Sequence, residues 1–188
     1  WEYFEFDGKP PRLSQRGFPD ILGAMGQPDI LPSQERTFLA GAPFGSMDPQ
    51  ERIERMEGEC LVRAILYPTI GLLCESEIED PEISAAYCRA YNSWIVDFCS
   101  QTDGRLVPIA HLSGTDPAEA TKELVRAGKD GCKGAFFAPF TWTRKSYGHP
   151  DYHAVWATAQ ELDIPIASHA TFEPIKSTHL TRFDDLVP

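Results

Sequence analysis

The chain has 188 residues, 42% hydrophobic and 11% aromatic, which suffices for one domain with a sizeable core and excludes a disordered protein. Asp and Glu number 28 against 17 Lys and Arg, and the resulting net charge of −11 argues against a nucleic-acid partner, because it repels phosphate backbones. A small anionic substrate stays open, since one Arg or a bound metal reverses the sign locally.

Residues 1–47 show no sustained period of either kind. Gly, Pro and aromatic residues dominate, as in Gly17-Phe18-Pro19 and Gly41-Ala42-Pro43-Phe44-Gly45. The expectation is a long loop or insertion preceding a second region, 48–188, and a loop of this length is more often functional than filler. Regular patterning begins at Asp48-Pro49-Gln50-Glu51, with an N-cap Asp, a Pro in the first helical position and a Glu three residues after the cap. The helix it starts turns Ile53 and Met56 inward. Leu61 to Tyr67 follows as an apolar strand, ended by Pro68.

Asp80-Pro81-Glu82 opens the longest helix, on which Ile83, Tyr87, Tyr91, Trp94, Ile95 and Phe98 recur at helical spacing. Such a stripe is a core face before it is a cofactor box. The acids Glu75, Glu77, Glu79 and Asp80 just before it read as a solvated run that favours the helix dipole. Arg105 to His111 is the next strand. Asp116-Pro117-Ala118-Glu119 repeats the helix-start device, with Ala120, Leu124 and Ala127 inward. Gly131-Cys132-Lys133-Gly134 turns the chain into a strand at 134–138. A polar, aromatic loop follows, then a helix with Tyr152, Val155, Trp156, Ala159 and Leu162 on one face. The last strand runs from Asp163 to His169, and 170–188 return to loop character.

Apolar strands alternating with amphipathic helices predict an α/β fold with a parallel sheet covered by helices. No Gly-x-Gly-x-x-Gly follows the first strand and no Gly-rich Lys-Ser/Thr loop is present, so a nucleotide-binding sheet loses its main support. A closed (β/α)8 barrel needs eight strands in roughly 250 residues. The expectation is therefore a partial barrel, about four strands with their helices, preceded by the irregular segment.

The five cysteines are Cys60, Cys74, Cys88, Cys99 and Cys132, with no Cys-x-x-Cys pair. An odd count in apolar surroundings fits buried, reduced thiols of a cytoplasmic protein better than a disulfide framework or zinc knuckle. No stretch is long enough to span a bilayer, and no signal peptide is visible. Because the sequence opens on Trp1, it is expected to begin inside a longer protein or after a removed segment.

In a barrel, residues at the C-terminal ends of the strands build the active site. His111 and His169 each end a strand, placed for metal binding, proton transfer or contact with substrate. The plainer alternative is a His that bonds a neighbouring carbonyl. His149 and His153 lie four apart, but Pro150 sets His149 at or before a helix cap and no Glu follows in the His-Glu-x-x-His manner, so capping or surface roles are expected. His179 carries no signal. The loop Pro139 to Lys145 would sit on the catalytic face, where Arg144 or Lys145 is suited to a substrate carboxylate and Trp142 to stacking on a ring; the plainer alternative is a solvated loop with one packed aromatic.

Several short pieces in order resemble the amidohydrolase-related proteins of the aminocarboxymuconate semialdehyde decarboxylase family. They are Arg52-Ile53-Glu54-Arg55-Met56 leading into Ala64 to Thr69, Tyr91-Asn92-Ser93-Trp94, Gly104 to Pro108, Gly131 to Gly134, Pro150-Asp151-Tyr152 through Trp156, and Pro165 to His169. The resemblance implies a metal-dependent barrel enzyme, usually zinc-bound, that decarboxylates aromatic or unsaturated acids or hydrolyses its substrate. The family's metal site uses a His-x-His pair on the first strand, a His ending the fifth and an Asp on the eighth, and a further His on the sixth acts on the substrate. His169 matches the fifth-strand ligand, which makes the four visible strands the second to fifth. The His-x-His, the sixth-strand His and the Asp have no matching positions.

Truncation at both ends is the simplest expectation from that pattern. A chain of this extent would then be inactive alone and would aggregate or form a homodimer through its open strand edges. Two alternatives stand beside the decarboxylase: a metal-dependent amide or lactone hydrolase on the same fold, and a non-catalytic barrel-fold binding domain.

Overall fold

Three Asp-Pro steps start helices where the sequence predicts them. Asp48 caps α2 (Pro49–Gly58), Asp80 precedes α4 (Pro81–Ser100) and Asp116 caps α5 (Pro117–Asp130). Each carboxylate accepts first-turn N–H groups: from Gln50 and Glu51, from Glu82 and Ile83, and from Ala118 and Glu119. Pro takes the first helical position, where no N–H is needed. A cap of this kind contributes about 1 kcal/mol. α5 stops at Gly131, whose φ of 126° is a conformation that residues with side chains rarely adopt.

The computed structural model describes residues 8, 33, 35–69, 71–75 and 78–169. The expected loop character of 9–32 and 170–188, together with His179 and Glu77, lies outside the described residues. The chain divides into two compact units, one of residues up to Arg63 with Gln101–Arg105, the other of Ala64–Ser100 with Leu106 onward. The first holds a short α1 (Phe38–Gly41) and α2. Within it the Arg105 guanidinium pairs with Glu57 at 2.8 Å and donates to the Leu61 carbonyl at 3.1 Å. None of the helices among the described residues is long and apolar enough to cross a membrane.

The second unit carries β1 (Ala64–Leu66), α3 (Gly71–Cys74), α4, β2 (Leu106–His111), α5, β3 (Gly134–Phe137), α6 (His153–Glu161) and β4 (Ile166–Ser168). Among the described residues all strand pairings are parallel, in the order β1-β2-β3-β4. A doubly wound sheet reverses its order at a switch point. Here each strand lies beside its predecessor, with α4, α5 and α6 as successive crossovers. That single winding is the rule of the (β/α) barrel, and four strands make half of one, as the sequence predicts.

The first strand is shorter than predicted. Leu61 and Val62 are exposed and spend their carbonyls on the Arg105 side chain instead of on a neighbouring strand.

The two sheet faces separate by the period of two. Ala110, Leu112, Ala135 and Phe137 face Leu124 and Ala127 of α5 and Val155 and Ala159 of α6 in one buried cluster. Ile109, His111 and Phe136 alternate with these residues and take the opposite face. On that face a Cβ at Gly134 would come within 2.8 Å of Ile109 Cδ1, so a larger residue there would push the Ile109 side chain aside.

α4 buries Ser84, Ala85, Cys88, Asn92, Ile95, Phe98 and Cys99. Trp94, predicted inward, is 50% exposed, because the face centred on Asn92 is the one that meets β2. Trp156 and Leu162, also predicted inward, are partly exposed on and just after α6, while Val155 and Ala159 are buried. His149 starts the Pro150–Tyr152 turn before α6, accepting from the Asp151 N–H at 3.2 Å, and His153 is exposed.

Cys88, Cys99 and Cys132 are buried and Cys60 is exposed. Burial pushes the Cys99 thiol up to about 11 and, with Cys99 nearby, the Cys132 thiol up to about 12. These thiols stay protonated in the folded chain at a pH where the unfolded chain, with an ordinary thiol value of 9.0, already ionises. Stability from this source is complete below pH 9 and falls as pH rises toward 12. Iodoacetamide at neutral pH should therefore alkylate Cys60 well before the three buried thiols. Peptide mass spectrometry of a time course checks this, and early labelling of Cys132 would refute it.

Candidate active site

Four strands deliver their C-terminal ends to one rim. Tyr67 follows β1, His111 ends β2, Ala138 follows β3 and His169 follows β4. The His169 N–H approaches the Phe137 carbonyl at 3.5 Å, continuing the line of the β3–β4 pairing. Its ring lies 5.9 Å from that of Tyr67, and Tyr67 meets Phe136 edge-on at 5.9 Å. Phe136 in turn stacks on His111 at 4.4 Å, as register partners on one face should. A continuous aromatic line thus connects the ends of β4, β1, β3 and β2.

His111 is fully buried, enclosed by Phe136 and by the edges of Tyr87 and Tyr91. Its backbone is held at both polar groups by one residue: Asn92 Oδ1 accepts the His111 N–H at 2.7 Å, and Asn92 Nδ2 donates to the His111 carbonyl at 3.0 Å. Asn92 Nδ2 also donates to Glu123 Oε1 at 2.7 Å, and Glu123 pairs with Arg126 at 2.6 Å. The His111 ring is treated differently. Its Nε2 lies 2.9 Å from Glu75 Oε1, off the direct line of the ring N–H, and neither ring nitrogen makes a hydrogen bond among the described residues.

The loops after the strands are tied to one another by side chains. The Trp142 indole N–H donates to the Glu75 carbonyl at 2.9 Å, joining the loop after β3 to the loop after β1. Tyr152 Oη donates to the Gly114 carbonyl at 2.5 Å, which adds the loop after β2. Tyr147 Oη donates to Ala138 and Phe140 at 2.7 and 3.2 Å and holds the loop after β3 in its own curve. Burial, and next the Glu75 carboxylate nearby, push the Tyr147 hydroxyl well above the ordinary phenol range. Burial also raises Tyr91 and Tyr152, and of these two hydroxyls Tyr152 serves as a donor while Tyr91 Oη makes no hydrogen bond among the described residues. In the same loop, Lys145 lowers the Asp151 carboxyl by hydrogen bonding to it.

His111, Trp142 and His169 converge on the rim, Trp142 and His111 through Glu75, and His169 through Tyr67 and Phe136. His169 is exposed and His111 is not. Arg144 is half-buried in the loop of Trp142, with a φ of 59° and its N–H bonded to the Thr141 carbonyl at 3.1 Å.

Glu75 corrects the sequence expectation. It was expected in a solvated acidic run, but it is 9% exposed and faces His111. The signal for it in the sequence was faint: it is the first acid of the run, directly after Gly71-Leu72-Leu73-Cys74. Asn92 stands in the Tyr91-Asn92-Ser93-Trp94 piece, but its buried role does not show in the sequence, since periodicity weights apolar residues and ignores a polar one on the buried face.

A metal site needs three or four donors at fixed geometry. Among the described residues no group of three His, Cys, Asp or Glu side chains comes together to hold an ion. His169 at the rim is one donor, and the described residues do not complete a set around it.

A singly wound parallel sheet with its titratable groups at the C-terminal strand ends defines the architecture of (β/α)-barrel enzymes. Residues 47–186 match the sequence family described as Amidohydrolase, and the chain belongs to that family. No curated protein matches the sequence significantly. Solved structures agree on the fold. An amidohydrolase from Mycobacterium avium subsp. paratuberculosis K-10 superposes with a TM-score of 0.63 at 21% identity, over 81% of this chain and 42% of that one. The 2,6-dihydroxybenzoate decarboxylase from Rhizobium gives 0.59 at 22% identity, over 69% and 41%. A dihydroxybenzoic acid decarboxylase from Polaromonas sp. JS666, solved with manganese and 2-nitroresorcinol, gives 0.59 at 24%, over 66% and 39%. The chain spans about two-fifths of the length of these relatives.

Proposed function

We propose that this chain contributes the rim of β1 to β4 to a metal-dependent decarboxylase of small aromatic or unsaturated carboxylic acids. The observation that carries the proposal is the placement of His169: an exposed imidazole just past β4, beside the Tyr67 ring, in a chain of the amidohydrolase family. Decarboxylases among the structural relatives support the lyase over the hydrolase.

In this proposal His169 is one ligand of a divalent ion. Zinc is the sequence-based expectation, and manganese is what the Polaromonas relative holds. The described residues do not complete the ligand set. What these residues do is set the environment. Tyr67, packed edge-on against the buried Phe136, presents its ring at the rim beside His169. Arg144 is assigned the substrate carboxylate, where a fork of donors matches two oxygens. Loss of carbon dioxide leaves an electron pair on the ring carbon, and that carbon must receive a proton.

The test uses the full-length protein, purified without chelator, beside its His169→Ala variant. About one divalent metal per chain, lost in the variant, together with carbon dioxide released from a panel of hydroxybenzoic acids, is the expected result. Metal without carbon dioxide, but with turnover of amides or lactones, would replace the lyase by the hydrolase. A full-length protein without metal would overturn both and leave a binding domain.

A further inference from the structure

We infer that Glu75 and His111 form a buried positioning pair that fastens the loops after β1 and β3 to the end of β2. The described residues assign this pair no contact with substrate, because His111 is fully buried. Its role is to hold other groups. Nε2 and Oε1 lie 2.9 Å apart, at ion-pair distance, without the alignment of a direct N–H···O hydrogen bond. Both groups sit where water does not compensate a loss, with side-chain exposures of 0% and 10%. A buried polar atom left alone costs more than a hydrogen bond gains, so each partner holds the other in place.

The pair is anchored on one side and carries load on the other. On the anchored side, Asn92 clamps the His111 backbone at both its N–H and its carbonyl, and Phe136 stacks on the ring. On the other side, the Glu75 backbone carbonyl accepts the Trp142 indole N–H. Force on the loop of Trp142 and Arg144 is therefore passed through Glu75 to a strand end that cannot shift without breaking a buried network. A solvated acid at position 75 would transmit nothing. This rests in part on the proposed function, since that loop matters for catalysis only if Arg144 meets the substrate.

The experiment is made on the full-length protein with Glu75→Gln, His111→Gln and the double variant. Gln at 75 keeps the shape and the acceptor, and removes the charge. Three readouts are taken. The first is the imidazole nitrogen resonance of His111 in histidine-labelled protein, which Glu75→Gln should move while the backbone amide signals of β2 stay in place. The second is amide exchange in 138–149, expected to rise about tenfold in either single variant, and no further in the double, as for two groups that act as a unit. The third is the split between kcat and KM for whichever acid is turned over, with KM rising and kcat held.

An unmoved His111 resonance in Glu75→Gln would overturn the pair. So would exchange effects that simply add in the double variant. The first two readouts need no activity, so a protein that proves not to be a decarboxylase leaves this inference testable on its own. If the pair fails instead, the metal and carbon dioxide tests of the function are unaffected.

Discussion

Replacing Asn92 by Ala should destabilise the fold by about 3–5 kcal/mol, the largest effect expected of any single polar substitution on α4. Three bonds end at this side chain: from the His111 N–H, to the His111 carbonyl and to Glu123 Oε1. Asn92 is 1% exposed, so water does not replace them. The cost is the desolvation of the two stranded His111 backbone groups and not the modest net worth of the lost hydrogen bonds. Glu123 adds to it, because its carboxylate is left with Arg126 as its partner in a buried setting.

For a chain of this size the loss corresponds to a fall in Tm on the order of 10 °C. Urea titration of the wild type and variant gives the difference directly. Asn92→Asp separates the contributions: it keeps the acceptor for the His111 N–H, loses the donor to the carbonyl, and sets a second carboxylate beside Glu123. It should be at least as damaging as Ala. A cost below about 1 kcal/mol for both would mean that α4 is not fixed to β2 through this residue.

Much of this fold was legible because it rests on local rules. Asp48, Asp80 and Asp116 each announce a helix by a cap followed by Pro, and each does cap one. The strands at 106–111 and 134–137 were found from apolar runs bounded by Gly and Pro. The rim itself followed from the barrel rule once strands and helices alternated, and His111 and His169 are both on it.

What stayed hidden depends on distance in sequence. Glu75 and His111 are 36 positions apart by their numbers, and Trp142 is separated from Glu75 by 67. No period or spacing links them. The acidic run was assigned to solvent by composition, the correct rule for most such runs, and its first member was recruited inward by a histidine on another strand. Trp94, expected inward, faces out while Asn92 is buried, for a related reason. The helix turns toward whatever the sheet needs, and β2 needed a donor and an acceptor more than another aromatic ring.

Phe136→Ala should cost about 3–5 kcal/mol and loosen the rim as well. Phe136 is completely buried and touches both His111, stacked at 4.4 Å, and Tyr67, edge-on at 5.9 Å. Removing its ring opens a void beside the imidazole and takes away the surface on which Tyr67 rests. Tyr67 in turn is the ring neighbour of His169 at 5.9 Å. The substitution therefore acts on packing first and on the candidate ligand second, through two ring contacts. Phe136→Leu keeps most of the volume and should cost under half as much in urea titration. It has no flat face for His111 and no quadrupole to meet the Tyr67 edge. If the aromatic line orders the rim, Leu will hold the fold yet weaken metal retention by the full-length protein. If Phe136 serves packing alone, metal retention in the Leu variant will match the wild type, and the line of rings from His169 to His111 will be a property of the core and not of the site.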